Sequence, residues 1–116
     1  MNPERLAEGI NELLIDDALE SYKNMYILKN LPNDPTVYEQ DIFNVLSVLD
    51  SNSKESFYRL IENVLNDTVT SFCALLDGSC GYIGQDSDLL LYSEDSKEKR
   101  LNGNLMMHLD RVRGLA

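Results

Sequence analysis

Between Phe57 and Leu76 apolar side chains return at every third or fourth position. Phe57, Leu60, Ile61, Val64, Leu65, Phe72, Leu75 and Leu76 fall in one line, with Thr68 among them. That period belongs to a helix and not to a strand. It predicts a helix over residues 54–76, about six turns long, with a wide apolar stripe. Gly78 stands just past its end, where a left-handed residue stops a helix. A helix of this length in a chain of 116 residues leaves room for a single domain, 1–116. The long helix is expected at the centre of its core. Apolar residues make up 43 % of the chain, enough to build that core and to argue against wholesale disorder.

Two further helices are expected before it. Over residues 3–29, Leu6, Ile10, Leu13, Leu14, Ala18, Tyr22 and Met25 keep helical spacing, and Pro3 suits the first turn because its missing N–H costs nothing there. The segment Asn30–Leu31–Pro32–Asn33–Asp34–Pro35 breaks the pattern. Asp34 then reads as the N-cap and Pro35 as the first residue of a second helix, with Tyr38, Ile42, Val45, Leu46 and Leu49 on one face. Asn52 and Glu55 have capping-box spacing at the start of the long helix.

The last third changes character. Gly78, Gly81 and Gly84 with Asp86, Ser87 and Asp88 make a loop. Leu89–Tyr92 is short and bounded by turn residues, so it reads as a strand. Ser93–Ser96 is a turn, and Lys97–Leu101 returns as a polar edge strand. After the turn signal Asn102–Gly103, Leu105, Met106, Leu109 and Val112 have the spacing of a short helix. The expected fold is α+β and mostly helical: three N-terminal helices, a small β-hairpin and a short C-terminal helix.

Charge narrows the function more than any motif does. Twenty acidic side chains face ten basic ones, for a net charge of −10. Repulsion of like charges argues against direct binding to nucleic acid or to an anionic membrane. The imbalance is greatest in residues 1–50, with ten acids and three bases. Glu4, Glu8, Glu12, Asp16 and Glu20 follow one another at i+4, with Asp17 beside them. Like-charged i+4 neighbours cost a few tenths of a kcal/mol per pair, so four pairs cost roughly 1–2 kcal/mol. A solvated face that keeps the chain soluble is one reading. The other is a negative ridge for a basic protein partner, carried by Glu8, Glu12, Asp16, Asp17 and Glu20. Asp34, Glu39 and Asp41 would support it from the second helix.

Catalytic chemistry has little to stand on. A nucleophile needs a base and the base an orienting group, yet the chain has one histidine, His108. Cys73 and Cys80 form no CxxC pair, and two cysteines with one histidine cannot complete an ordinary zinc site without carboxylates. Both cysteines read as reduced thiols of a cytoplasmic protein. The segment Gly78–Gly84 lacks the Lys–Ser/Thr of a phosphate-binding loop. Glu55 and Glu62 stand alone on the long helix, without the paired acidic motifs of magnesium-dependent all-helical pyrophosphatases. No catalytic residue, metal ligand or cofactor is expected. The N-terminus has no basic n-region or continuous apolar run, so it does not read as a secretory signal. No stretch has the ~18 apolar residues of a membrane span.

Residues 62–78, ENVLNDTVTSFCALLDG, together with the segment Leu89–Tyr92, resemble a group of small acidic bacterial proteins. In these a long helix carrying Leu-Asn-Asp ends in Leu-Asp-Gly before a polar loop, a hairpin and a C-terminal helix. Leu65, Asn66, Asp67, Val69, Leu76, Asp77 and Gly78 carry the resemblance, over about half the chain. Some members resemble immunity proteins encoded beside secreted nuclease toxins. Near the end the pattern departs, with Met107–His108–Leu109–Asp110 where Leu-His-Asp stands in the group. The resemblance implies a cytoplasmic protein that binds a basic toxin domain through an acidic surface. A DNA-mimic inhibitor or accessory regulator would use the same charge, and a metal-dependent hydrolase is a third, more remote reading.

Overall fold

A computed structural model of the chain describes residues 1–27 and 31–115, with the side chains of residues 25–27 outside the description. The expected extension of the first helix to residue 29, the Met25 side chain and Asn30 of the break therefore lie outside the described residues. The fold is mostly helical with one small antiparallel sheet. Its order is α1 (Pro3–Ile10), a π-helical turn (Asn11–Asp16), α2 (Asp17–Ile27), α3 (Val37–Ser47), α4 (Ser51–Asp77), β1 (Tyr92–Ser93), β2 (Ser96–Arg100) and α5 (Leu105–Val112).

The spine is α4. Its 27 residues extend about 40 Å, most of the 51 Å long axis of the molecule. The C-terminal half packs against α1, the π turn and α5. There Val69 and Cys73 meet Ala7, Ile15, Leu105 and Leu109 in the main core. The N-terminal half meets α3 in a smaller cluster built on Tyr58 and Leu46, with Ile42, Phe43, Leu49, Phe57 and Ile61 partly buried around them. The stripe read from the sequence is therefore only partly core. Its middle, Leu60, Val64 and Phe72, is more than half exposed. The buried positions are Tyr58, Val69 and Cys73 instead: α1, the π turn and α5 enclose Val69 and Cys73, and α3 meets Tyr58.

Several boundaries differ from expectation, each for a local reason. The N-terminal run is not three simple helices, since the π turn divides the first into α1 and α2. α3 begins at Val37, not at Pro35. Thr36 is its N-cap and forms a full capping box: the Glu39 N–H donates to Thr36 Oγ1 at 3.1 Å, and the Thr36 N–H donates to Glu39 Oε1 at 3.0 Å. Two reciprocal bonds displace the single cap that Asp34 would provide. α4 begins at Ser51, with Asp50 accepting the Ser53 N–H at 2.8 Å, so Asn52 lies inside the helix. At its other end Gly78 is left-handed (φ 78°). Ser79 N–H donates to the Ala74 carbonyl and Gly78 N–H to that of Leu75, the Schellman pattern. The hairpin is shorter than expected. Leu89–Leu91 precede it without strand pairing, and β1 is only Tyr92–Ser93, opposite Arg100 and Ser96.

The C-terminal quarter is tied to α4 by two side chains. α5 has no side-chain cap of its own and no acid in its first turn. Asp77, the last residue of α4, supplies both. Its carboxylate accepts from the backbone N–H of Gly103 at 2.7 Å, of Leu105 at 3.0 Å and of Met106 at 2.8 Å. A carboxylate at a helix N-terminus also meets the positive end of the helix dipole. Asn102, 5 % exposed, completes the clasp. Its amide donates to the carbonyls of Leu76 and Leu89. Its Oδ1 accepts from Leu91 N–H at 2.9 Å and Arg100 Nε at 3.0 Å.

Candidate interaction surface

The carboxylate ladder falls on both sides of the π turn. In a straight α-helix each i+4 residue advances about 40° around the axis, so a five-rung ladder would spiral away from its starting face. A π turn closes i→i+5 bonds and winds less per residue. It rolls the later rungs back toward the earlier ones. It also stacks Asn11 over Asp16, and Asn11 Nδ2 donates to Asp16 Oδ2 at 3.1 Å.

The C-terminal helix takes two rungs. Arg113, whose side chain is 11 % exposed, donates to Asn11 Oδ1 at 2.7 Å and to Glu62 Oε1 at 3.2 Å, and lies 3.8 Å from Asp16. His108 Nε2 lies 3.9 Å from Glu4. Asp16 is thus shared with an internal arginine that sequence spacing could not place. Glu8, Glu12, Asp17 and Glu20 are exposed, and no cation among the described residues pairs with them. Among the described residues the ladder resolves into four carboxylates without a paired cation, Glu8, Glu12, Asp17 and Glu20, and two, Glu4 and Asp16, that face α5 and its end.

The supporting residues are not equivalent. Asp34 and Asp41 are exposed. Glu39 is half-buried and spends one carboxylate oxygen on the capping box. It still reaches the wall of a groove of about 470 Å³ between α2 and α3, beside Tyr22, Tyr38 and Ile42. This apolar neighbour of the acidic row was not foreseen from the sequence. Its signal was there: Ala18 and Tyr22 of the first apolar stripe and Tyr38 and Ile42 of the second line this groove, so neither stripe is fully covered.

The remaining reactive side chains are scattered. Cys73 and Cys80 are free thiols, one buried in the core and one exposed in the loop. Burial, reinforced by the carboxylates of Asp77 and Asp110, pushes the Cys73 thiol up to about 11. A thiol held neutral is a poor nucleophile. Cys80 shares a shallow loop cavity of about 590 Å³ with Gln85, Asp86 and Asp88. Among the described residues no three His, Cys, Asp or Glu side chains converge as a metal cluster. None of the described helices is long and apolar enough to cross a membrane. Comparisons with protein-family models, with curated proteins and with solved structures gave no match.

Proposed function

We propose that this chain is a cytoplasmic, immunity-type protein that binds a basic protein, a toxin nuclease domain in the leading case, and neutralises it by covering its cationic surface. The observation that carries this reading is the set of four exposed carboxylates, Glu8, Glu12, Asp17 and Glu20, with no described cation paired to them. Surfaces that bind nucleic acid are basic, and a complementary acidic surface speeds encounter and selects the partner. Asp34 and Asp41 extend the field along the entry to α3 and along α3 itself. Asp16 acts as the anchor of the ladder to Arg113 more than as a contact.

The test begins with a tagged pull-down from the source cell, with neighbouring reading frames expressed, washed at low and at high salt. One basic protein retained through high salt is the expected result. Its association rate should then fall ten- to a hundred-fold when Glu8, Glu12 and Glu20 are changed to Lys, and become less salt-dependent. An unchanged rate removes the acidic row from the account. Many basic proteins released together as salt rises would favour the DNA-mimic reading.

A further inference from the structure

A second groove continues the first. It holds about 280 Å³ and is lined by Tyr22, Ile42, Phe57, Leu60, Val64 and Leu65. Tyr22 and Ile42 belong to both grooves, so the two form one apolar trough crossing α2, α3 and α4. Its rim is open: Tyr38 is 81 % exposed, Leu60 57 % and Val64 54 %. The whole molecule shows the same deficit of cover. Its accessible surface is 8165 Å², against about 6,400 Å² for a compact monomer of this mass. Its radius of gyration is 17.5 Å, against about 13 Å for a compact chain of this length.

We infer that this trough receives an amphipathic, cationic helix of the partner protein, apolar edge inward. The inference rests on the basic-partner reading and adds to it where and how the partner docks. Phe57 to Leu65 extends about 12 Å along α4, the length of an i, i+4, i+7 set of anchors in helix-in-groove recognition. Charge selects the occupant. Glu39 stands on the trough wall. Asp17 and Glu20 are exposed on α2 beside the lining residues Ala18 and Ser21, and Asp41 is exposed on α3. Lys23, the cation on α2 nearest this face, sits over the Tyr58 ring with Nζ 5.8 Å from its centroid. A second copy of this chain would bring the same carboxylates, from a net charge of −10, against one another. A helix with lysine or arginine flanking its apolar edge pairs with them instead.

The probe is a synthetic helical peptide of leucine and lysine with its leucines at three- and four-residue spacing, compared with a scrambled peptide of the same composition. Binding to the full chain is read by fluorescence anisotropy at physiological salt. The patterned peptide is expected to bind at least ten-fold more tightly. Leu60→Asp should remove that preference, although it adds negative charge and so cannot act by repelling lysine. Val64→Ser repeats the test with a milder change, and circular dichroism melts confirm that both variants fold. Changing Glu8, Glu12 and Glu20 to Lys should weaken both peptides and leave the preference intact. Equal binding of the two peptides, or a preference untouched by Leu60→Asp and Val64→Ser, overturns the trough alone. An association rate with the captured partner that ignores the charge reversal overturns the acidic row alone. A wild-type dimer in sedimentation equilibrium that Leu60→Asp dissociates assigns the trough to a second copy and overturns the inference.

Discussion

The two halves of α4 are one continuous helix, yet they sit in different surroundings. Toward its C-terminus, Val69 and Cys73 are enclosed by residues from α1, the π turn and α5, and Ala7, Ile15, Leu105 and Leu109 are fully buried with them. Asp77 and Asn102 then lock the end with hydrogen bonds to backbone groups 11 to 29 residues away. Toward its N-terminus, α3 contributes one buried residue, Leu46, while Val37, Tyr38 and Val48 are 74–81 % exposed. Helix formation is a local matter of period and caps. Cover is a tertiary matter of how many layers arrive. α3 has a full N-terminal capping box and little cover, which places it at the low end of the local stabilities within one molecule.

The largest effect expected from this contrast is in thiol chemistry. Cys80 lies exposed in the loop and Cys73 is fully enclosed. With its thiol pushed up to about 11 by burial and by two nearby carboxylates, Cys73 has about 100-fold less thiolate near neutral pH than an ordinary cysteine. It also requires opening of the α4–α5 core. At pH 8 a disulfide reagent should label Cys80 at least ~10³-fold faster than Cys73. Comparable rates would mean that the core around Cys73 opens freely, and that the C-terminal half of α4 is not the tight one.

Core truncations should separate the halves in stability. Leu109→Ala empties a fully buried site and is expected to cost toward the upper part of the ~2–5 kcal/mol range for such changes. Leu46→Ala lies in a smaller, more open cluster that relaxes more easily, and should cost about 2 kcal/mol or less. Urea denaturation measures both. Equal losses would remove the distinction between the clusters.

The clasp should follow. Asp77→Ala leaves three N–H groups of the α5 entry without their acceptor, at an expected cost of about 1–3 kcal/mol. Asp77→Asn keeps an acceptor oxygen and should recover part of that loss. Asn102→Ala should cost a similar amount, since the carbonyls of Leu76 and Leu89 lose their donor. In the same urea series, a silent Asp77→Ala would show that α5 is held by its apolar face alone.

Much of the fold was legible because its signals are local. Helical periods placed α3, α4 and α5 near their observed ranges and read α1, the π turn and α2 as one helix, and Gly78 marked the end of α4. The hairpin was found from turn residues, although three leucines were assigned to a strand that begins only at Tyr92. Those leucines look like a strand by composition, but Leu91 N–H bonds to the Asn102 side chain, and only the Leu91 carbonyl meets the returning backbone, accepting from Leu101 N–H at 2.8 Å. What could not be read is whatever joins distant residues. Asp77 capping a helix 28 residues on has no spacing rule. The absence of an acid in the first turn of α5 was its one local sign. Arg113 reaching Asn11, Asp16 and Glu62 is similarly invisible, and it changes Asp16 from a free rung to an anchored one. The acidic row itself was legible because exposure of a charged i+4 ladder is the ordinary outcome. The trough beside it depends on how far α3 covers α4, which no period reports.

The smallest effect tests whether the loose half loosens first. Asp50 caps α4 where α3 hands over to it. The Ser53 backbone N–H, reinforced by the Ser53 side chain, holds its carboxyl below the ordinary 3.8. Asp95 is held down by the Ser93 hydroxyl at 2.5 Å and by the N-terminal ammonium at 3.4 Å. A folded value below the unfolded one means that the carboxylate's contribution is fully present above the unfolded value. It is lost as pH falls through the folded one. Both contacts therefore weaken below about pH 4. Asp95 lies in the hairpin turn, where the Asn102 clasp persists without it. Asp50 guards a junction where α3 has little else. Between pH 5 and pH 3, amide-exchange protection corrected for intrinsic rates should fall further in α3 than in α5. Asp50→Asn, which caps nearly as well without titrating, should flatten the fall in α3. A uniform loss across α3 and α5 would show that the two halves open as one unit, and that the exposed face of α3 is as firmly held as the buried one of α5.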